Sequence, residues 1–421
     1  MNGKRRGKIF FLCICLAAVL TACSAGEDAA YVGDGSSEAA AASSEAAAAS
    51  SEAAATSEED ISVNVEEEAE KGEEASSTEL VYTDNMTGVT EDGFHFFTRA
   101  GYVFISGIPD GTRRLEIPEE LGGMPVAGID ELRWGDLEEV EEIVIPESCF
   151  WIAEDDILGS EWFHRQYDLE NMVDANGEPL GDYLYCGNVL IGYTGEDTVL
   201  NIPEGTLGIG TGAFDISLLR EEITDITFPE GLIGLARQSC FALHDLVRLE
   251  LPETLEIIGE EAFKACHVLG NVTLPEGIKI VDAGAFNGTP WLSEQIRGSE
   301  DEFVLIGPGT LVSYKGTEED VVIPEGVVTV DEGLFSGDEE IRSVVFPSTV
   351  YSVGLAAFRD CTGLETVELN EGLRMIGNGA FTGCPCLETL ELPSTVWVAS
   401  GDWYDEGTEI TGKDLEEVCP W

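Results

Sequence analysis

The stretch from Leu251 to Phe286 repeats itself. It reads LPETLEIIGEEAFKACHVLGNVT and then LPEGIKIVDAGAF, so Pro252 returns as Pro275 and Phe263 as Phe286, 23 residues later. Self-similarity at this period dictates a solenoid, because one unit cannot bury its apolar side alone and must stack on its neighbours. The register extends in both directions. Pro203, Pro229, Pro252 and Pro275 mark one run of turns, and Pro324, Pro347, Asn370 and Pro393 mark another. Pro118 and Pro146 open two worn copies, which makes ten turns. A bulky residue follows eleven positions after the marker: Phe214, Phe263, Phe286, Phe335, Phe358 and Phe381, with Cys240 and Ile157 in that slot elsewhere. In the Pro118 copy, whose bend is longer, Trp134 takes it.

Inside a turn the apolar positions are fixed, as in Leu373, Ile376, Ala380, Phe381, Cys384, Leu387, Leu390 and Leu392. The V-x-L triplet before each marker alternates, as a short strand with one buried face does. Proline then removes a backbone donor and ends the strand. Gly259, Gly354 and Gly377 fall where the chain bends back, and are expected there to relax the dihedral restriction. At about 4.8 Å per step the turns form a stack roughly 50 Å long. The middle residue of each triplet faces outward, which forms a column of Glu116, Val144, Asn201, Thr227, Glu250, Thr273, Val322, Val345, Glu368 and Glu391.

The pattern LPxxLxxIGxxAFxxCxxLxxVxL resembles the BspA-like leucine-rich repeats of bacterial surface proteins. The opening EDGFHFFTRAGYVFISG, followed by LEIPEELGGMPVAGID, is similar to the first hairpin and first repeat of that family. The resemblance covers roughly residues 91 to 398. It implies a leucine-rich-repeat solenoid with short parallel strands on one face, and a surface adhesion or binding role with no shared catalytic motif.

Ahead of the repeats stands MNGKRRGK, a basic leader, then the apolar run IFFLCICLAAVL. Twelve apolar residues are too few to span a bilayer and suit a signal peptide. Leu20-Thr21-Ala22-Cys23 resembles a lipobox, which implies acylation of Cys23 after removal of residues 1–22. Residues 24–80 carry SSEAAAASSEAAAASSEAAATSEED, with sixteen acids against Lys71 and no aromatic after Tyr31. Such a segment cannot bury a core and reads as a disordered tether, about 40 Å in root-mean-square span. Residues 81–117 read as a hairpin cap over the end of the stack, 118–396 as the solenoid, and 397–421 as the closing cap. The expected address is the bacterial cell surface, with the chain held to the membrane by lipid.

Two segments interrupt the period, at about 160–202 and 289–323. Each reads as a short helix and a hairpin laid against the solenoid. Trp162 and Trp291 stand at equivalent places in them, as do Tyr193 and Tyr314. These rings either pin the insertions or form an aromatic ligand patch.

Composition narrows the partners. The formal net charge is −61, from 82 acids and 21 bases. That disfavours nucleic acid, whose binding relies on Lys and Arg neutralising phosphate. It equally disfavours a polybasic membrane patch. His244 and His267 occupy one place in successive turns and are expected to stack about 5 Å apart. No third ligand accompanies them at a metal-binding spacing, and nothing calls for a cofactor. No catalytic motif such as HExxH, Walker A or GxSxG is present. Cys266, Cys361 and Cys384 share one repeat position and read as buried thiols, with a Cys361–Cys384 bridge as the alternative. The functional expectation is a non-enzymatic module that binds a protein through the column Glu116, Asn201, Thr227, Glu250, Thr273, Glu368 and Glu391. The alternatives are a glycan- or wall-associated accessory or enzyme, and a passive spacer.

Overall fold

Proline ends one strand in each turn and opens a bend that leads into another. Arg248–Glu250 precedes Pro252, for example, and Ile257–Ile258 follows it. Both strands find partners in the neighbouring turns. The first pairs in parallel as Asp225↔Arg248, Ile226↔Leu249 and Thr227↔Glu250. The second pairs as Gly234↔Ile257 and Leu235↔Ile258. The solenoid therefore carries two parallel ladders where the triplets had predicted one. The computed structural model describes residues 86–421 apart from 131–136, 138, 154–156, 158–159, 216–221, 400–401, 415–418 and 421. The signal sequence, Cys23, the tether, Trp134 and Trp421 lie outside the described residues. All described residues belong to one unit, Leu80–Trp421.

Ten strands of the second ladder follow a marker, and four more among the described residues join without one: Tyr102–Gly107, Val189–Tyr193, Thr310–Tyr314 and Cys419–Pro420. Three of these four add turns to the ten counted from the markers, and the first belongs to the N-terminal hairpin. The bulky slot forms a stack inside. Phe263 and Phe286 lie 5.3 Å apart and nearly parallel, Phe335 and Phe358 4.8 Å, and Phe358 and Phe381 5.4 Å. These separations follow the strand spacing. Tyr193 and Tyr314 extend the stack at the insertions, 6.2 Å from Phe214 and 5.5 Å from Phe335.

Gly354 is needed for a reason other than the expected one. Its φ is not positive, but a Cβ there would lie 2.8 Å from the Glu332 nitrogen in the preceding turn. Gly377 meets Leu355 in the same way. The left-handed residues come two positions later. Ala356 holds φ 54° and Glu261 φ 56°, at a place that Gly284, Gly333 and Gly379 fill elsewhere.

Each insertion begins with a capped helix. In α1, Glu161–Gln166, the Ser160 hydroxyl accepts the Phe163 N–H. In α2, Pro290–Gly298, the Thr289 hydroxyl accepts the Leu292 N–H. The hairpins that follow are not merely laid on the solenoid, because their second strands are rungs of the ladder: Val189↔Gly208 and Thr310↔Thr329. These strands also divide the interior. Leu311 belongs to the core of the following turns and Val312 to that of the preceding ones. Ile191 and Leu190 split similarly. The apolar interior is thus three consecutive cores and not the single column that the repeat pattern suggests. Burial on both strand faces makes the partition, and it accounts for the unbroken apolar runs VLI and LV.

Polar contacts cross the junction between the second and third cores. The Lys264 ammonium reaches Glu261 at 2.6 Å and Glu332 at 2.7 Å. Buried Asp331 accepts the Gly284 N–H at 2.5 Å. Burial outweighs that bond and pushes the Asp331 carboxyl up to about 6.

The N-terminal hairpin does more than cap the stack. It consists of β1 (Thr87–Val89), β2 (His95–Arg99) and β3 (Tyr102–Gly107), with β3 paired in parallel to Met124–Asp130. Its outer side packs on the second ladder. Phe97 and Phe104 share a cluster with Ala127, Phe150, Trp151, Ala236, Ile257 and Ile280. Arg99 forms a bidentate pair with Asp282, at 2.6 and 3.1 Å, and lies 4.4 Å above the Tyr351 ring. The Tyr102 hydroxyl donates to Glu256 at 2.9 Å, and the His95 ring sits 6.4 Å from Trp397. One five-residue strand thus touches turns from Asp282 to Trp397.

Three outcomes follow from this packing. Gly354→Ala should destabilise by about 1–3 kcal/mol, whereas Ala356→Gly should stabilise by about 1 kcal/mol, both read by thermal unfolding. Arg99→Ala strands Asp282 in a site where only 16% of its side chain is exposed. It should cost about 2–4 kcal/mol and raise hydrogen exchange in residues 94–107 above that in the solenoid. The third outcome concerns pH. A carboxyl raised in the folded state binds its extra proton between the unfolded and folded values, so its contribution to stability falls as pH climbs through about 6. Tm should be higher near about pH 5 than near about pH 7.5. Asp331→Asn should shrink the corresponding difference in unfolding free energy by no more than about 3 kcal/mol, leaving the part due to general acidic repulsion.

Candidate functional site

The triplet strands hold their middle side chain toward solvent because the two flanking residues go inward. Glu116, Asn201, Thr227, Glu250, Thr273, Glu368 and Glu391 are all exposed, and Val322 is 63% exposed. The ladder brings them together in groups. Asn201, Thr227 and Glu250 are directly opposite one another on consecutive strands. Val322, Val345 and Glu368 form a second group. Glu116 lies opposite Val144, and Glu391 opposite Thr411. Thr273 is exposed but belongs to no strand. The seven residues therefore share one face without forming one uninterrupted ladder.

A second outward column stands two residues before the first. Its two arginines are paired: Arg114 with Glu142 of the same column at 2.6 Å, and Arg248 with Glu250 of the first column. The Ser343 hydroxyl donates to Asp320 at 2.6 Å. A pocket of about 380 Å³ opens on this face between residues 247–251 and the segment 271–275, with Glu253 at its rim. It sits where Thr273 falls out of the ladder.

The aromatic patch is corrected. Trp162 and Trp291 are each only 7% exposed. Trp291 packs 4.5 Å from Phe286, and Trp162 leans on Phe163 and Tyr167. Both rings hold their helices to the solenoid, which leaves the glycan-binding alternative without its contact surface. Tyr193 is buried too, and its hydroxyl donates to the Asp197 carbonyl at 3.0 Å.

His244 and His267 stack at 5.0 Å and 6°. Among the described residues no cluster of three or more His, Cys, Asp or Glu side chains is arranged to hold a metal ion. Cys361 and Cys384 are free, buried thiols. Each donates backward, Cys361 to the Phe335 carbonyl at 3.1 Å and Cys384 to the Phe358 carbonyl at 3.2 Å. Burial raises both thiols, that of Cys361 to about 12. Among the described residues no helix is long and apolar enough to cross a membrane.

Sequence reasoning missed that the second ladder's outer side is covered. The signal was present in HFFTR and YVFISG. Phe96 and Phe97 are consecutive and both buried, as are Val103, Phe104 and Ile105. A strand apolar on both faces must be covered on both.

A family model described as BspA type leucine rich repeat region matches in six copies, over residues 193–302 and 313–410. No curated protein matches. Among solved structures, a leucine rich cell surface protein from Faecalibacterium prausnitzii is 18% identical, covering 77% of this chain and 88% of that one, with a TM-score of 0.25. A leucine-rich repeat protein from Bacteroides ovatus is 17% identical, covering 79% and 89%, with a TM-score of 0.23. The pneumococcal vaccine antigen PcpA is 13% identical, covering 80% and 90%, with a TM-score of 0.24. With a 23-residue turn and six matched copies, the chain belongs to the BspA-type leucine-rich repeat proteins.

Proposed function

We propose that the chain is a surface-held, non-enzymatic module that binds a protein through the outer face of its triplet strands, anchored to the membrane by acylated Cys23. One observation carries the reading. Of the two ladders, the second has its outer side under the N-terminal hairpin, with Ile257 at 1% exposure, while Glu250 and Glu368 on the first stand in solvent. Solenoids bind through such extended sheet surfaces. The column mixes acids with Thr, Asn and Val, which suits a protein surface bearing basic groups better than a polyanion.

A binding screen of the chain against secreted and matrix proteins tests this. Glu250→Lys and Glu368→Lys should each weaken a captured partner by about fivefold to fiftyfold, mainly through slower association at low salt. Undiminished binding by both charge reversals would remove the column from the reading. Cys23→Ser should abolish incorporation of labelled fatty acid and release the chain into the medium; a variant that stays with the membrane would refute the anchor.

A further inference from the structure

The first ladder is interrupted between two turns that remain packed elsewhere. Arg248–Glu250 pairs with Asp225–Thr227 on one side, but among the described residues no strand pairs with it on the other. Residues 271–274 occupy that place in the repeat without forming a strand, and no backbone hydrogen bond joins them to Arg248–Glu250. The core beneath is correspondingly less sealed. Leu249 and Val272 are 7% and 8% exposed, where Leu200 and Ile226 are 1%. The same two turns stay hydrogen-bonded on the far side of the coil, through Phe263 N–H to the Ala285 carbonyl at 2.7 Å and Ile257↔Ile280 in the second ladder. The opening is therefore a wedge in one face of an intact stack.

The unpaired edge of Arg248–Glu250, facing a segment at 271–274 that makes no ladder bonds, forms a site for a polypeptide in extended conformation, whose backbone would supply the missing rungs. The lining specifies its chemistry. Val247, 58% exposed, gives an apolar contact, Asn271 and Thr273 give polar ones, and Glu250 and Glu253 place two carboxylates at the rim. Arg248 is turned onto Glu250 and offsets one of these charges, which leaves the rim net acidic. The chain's own tether, with sixteen acids and one base, is repelled from such a rim, as is a second copy of a chain with net charge −61. We infer that the wedge between residues 247–251 and 271–275 is a strand-addition site for an extended segment of a foreign protein carrying a Lys or Arg opposite Glu250 and Glu253. This deepens the proposed protein-binding role and rests on it.

The test uses the full chain and a displayed library of random peptides of about seven residues, the length of an ordinary strand. Bound peptides should be enriched in Lys or Arg at one position. N-methylation of alternate backbone amides, which removes the ladder donors, should weaken binding at least about tenfold. The double variant Glu250→Lys/Glu253→Lys should do the same, with its circular dichroism unchanged. Glu178→Lys, exposed in the first insertion and outside the column, should leave peptide binding intact. Failure to recover any peptide, a bound set without basic enrichment, or binding that survives N-methylation would overturn the wedge. The wider reading fails separately, when neither Glu250→Lys nor Glu368→Lys affects a captured protein.

Discussion

Every turn leaves its backbone polar groups to be satisfied by the turns above and below, and the rest of the structure follows from that dependence. The Phe335 N–H donates forward to the Ala357 carbonyl at 2.8 Å, and Phe358 donates to Ala380 at 2.8 Å. The carbonyls of the same phenylalanines receive the thiols of Cys361 and Cys384. A buried amide without a partner costs about 1–3 kcal/mol, so a turn cannot be skipped or shifted. The two long interruptions of the period each carry a substitute rung, Val189–Tyr193 and Thr310–Tyr314. Both strands end in tyrosine, whose ring continues the phenylalanine stack while its hydroxyl can leave the apolar interior. Cysteine at its repeat position is thus more than a small apolar filler, because its thiol adds a second donor to a carbonyl that already accepts a backbone N–H, from Asp338 at Phe335 and from Cys361 at Phe358.

The same stacking creates two sheet surfaces, and they have different fates. On the second ladder the outward residues of central turns are Gly234, Ile257 and Ile280, small or apolar, and the hairpin lies over them. The hairpin is locked from both ends: Arg99 on Asp282 and Tyr351, and His95 against Trp397. Contacts that far apart in sequence tie the first turn to the sixth and beyond, which a nearest-neighbour stack does not do by itself. The first ladder has no such cover among the described residues, and its outward residues are short, polar or charged.

Period, bulky slot, strand triplets and the two inserted helices were legible because each is a local demand on residue type. Phe263 and Phe286 must stack if the turns are equivalent, and His244 and His267 follow by the same logic. What local demand does not specify is where a face goes. Gly354 illustrates this: its spacing revealed a special residue, yet whether a positive φ or a close neighbour required it depended on the preceding turn's Glu332 nitrogen. The burial of Trp162 and Trp291 likewise depended on which side of the helix met the solenoid. The exposed column was legible by register, but its interruption at Thr273 was not, because that triplet, NVTLP, has the same pattern as those that pair.

The charge pattern on the open face shows how so acidic a chain keeps its ladder. Like charges directly opposite on adjacent strands destabilise pairing by up to about 1 kcal/mol. Wherever an acid of the column is paired, it faces a neutral residue: Glu116 against Val144, Glu250 against Thr227, Glu368 against Val345, Glu391 against Thr411. In the neighbouring column Arg114 faces Glu142 and Arg248 faces Asp225. One step of the repeat would set acid on acid, Glu368 against Glu391. There Thr366–Glu368 and Thr389–Leu392 are consecutive triplets that do not pair, and Val367 is 9% exposed. The ladder thus holds where its outward neighbours tolerate each other and opens where two carboxylates would meet. The gap beside Glu250 has no such repulsion to explain it, since the facing residue is Thr273. What distinguishes that gap is a lining that a basic, extended chain could satisfy.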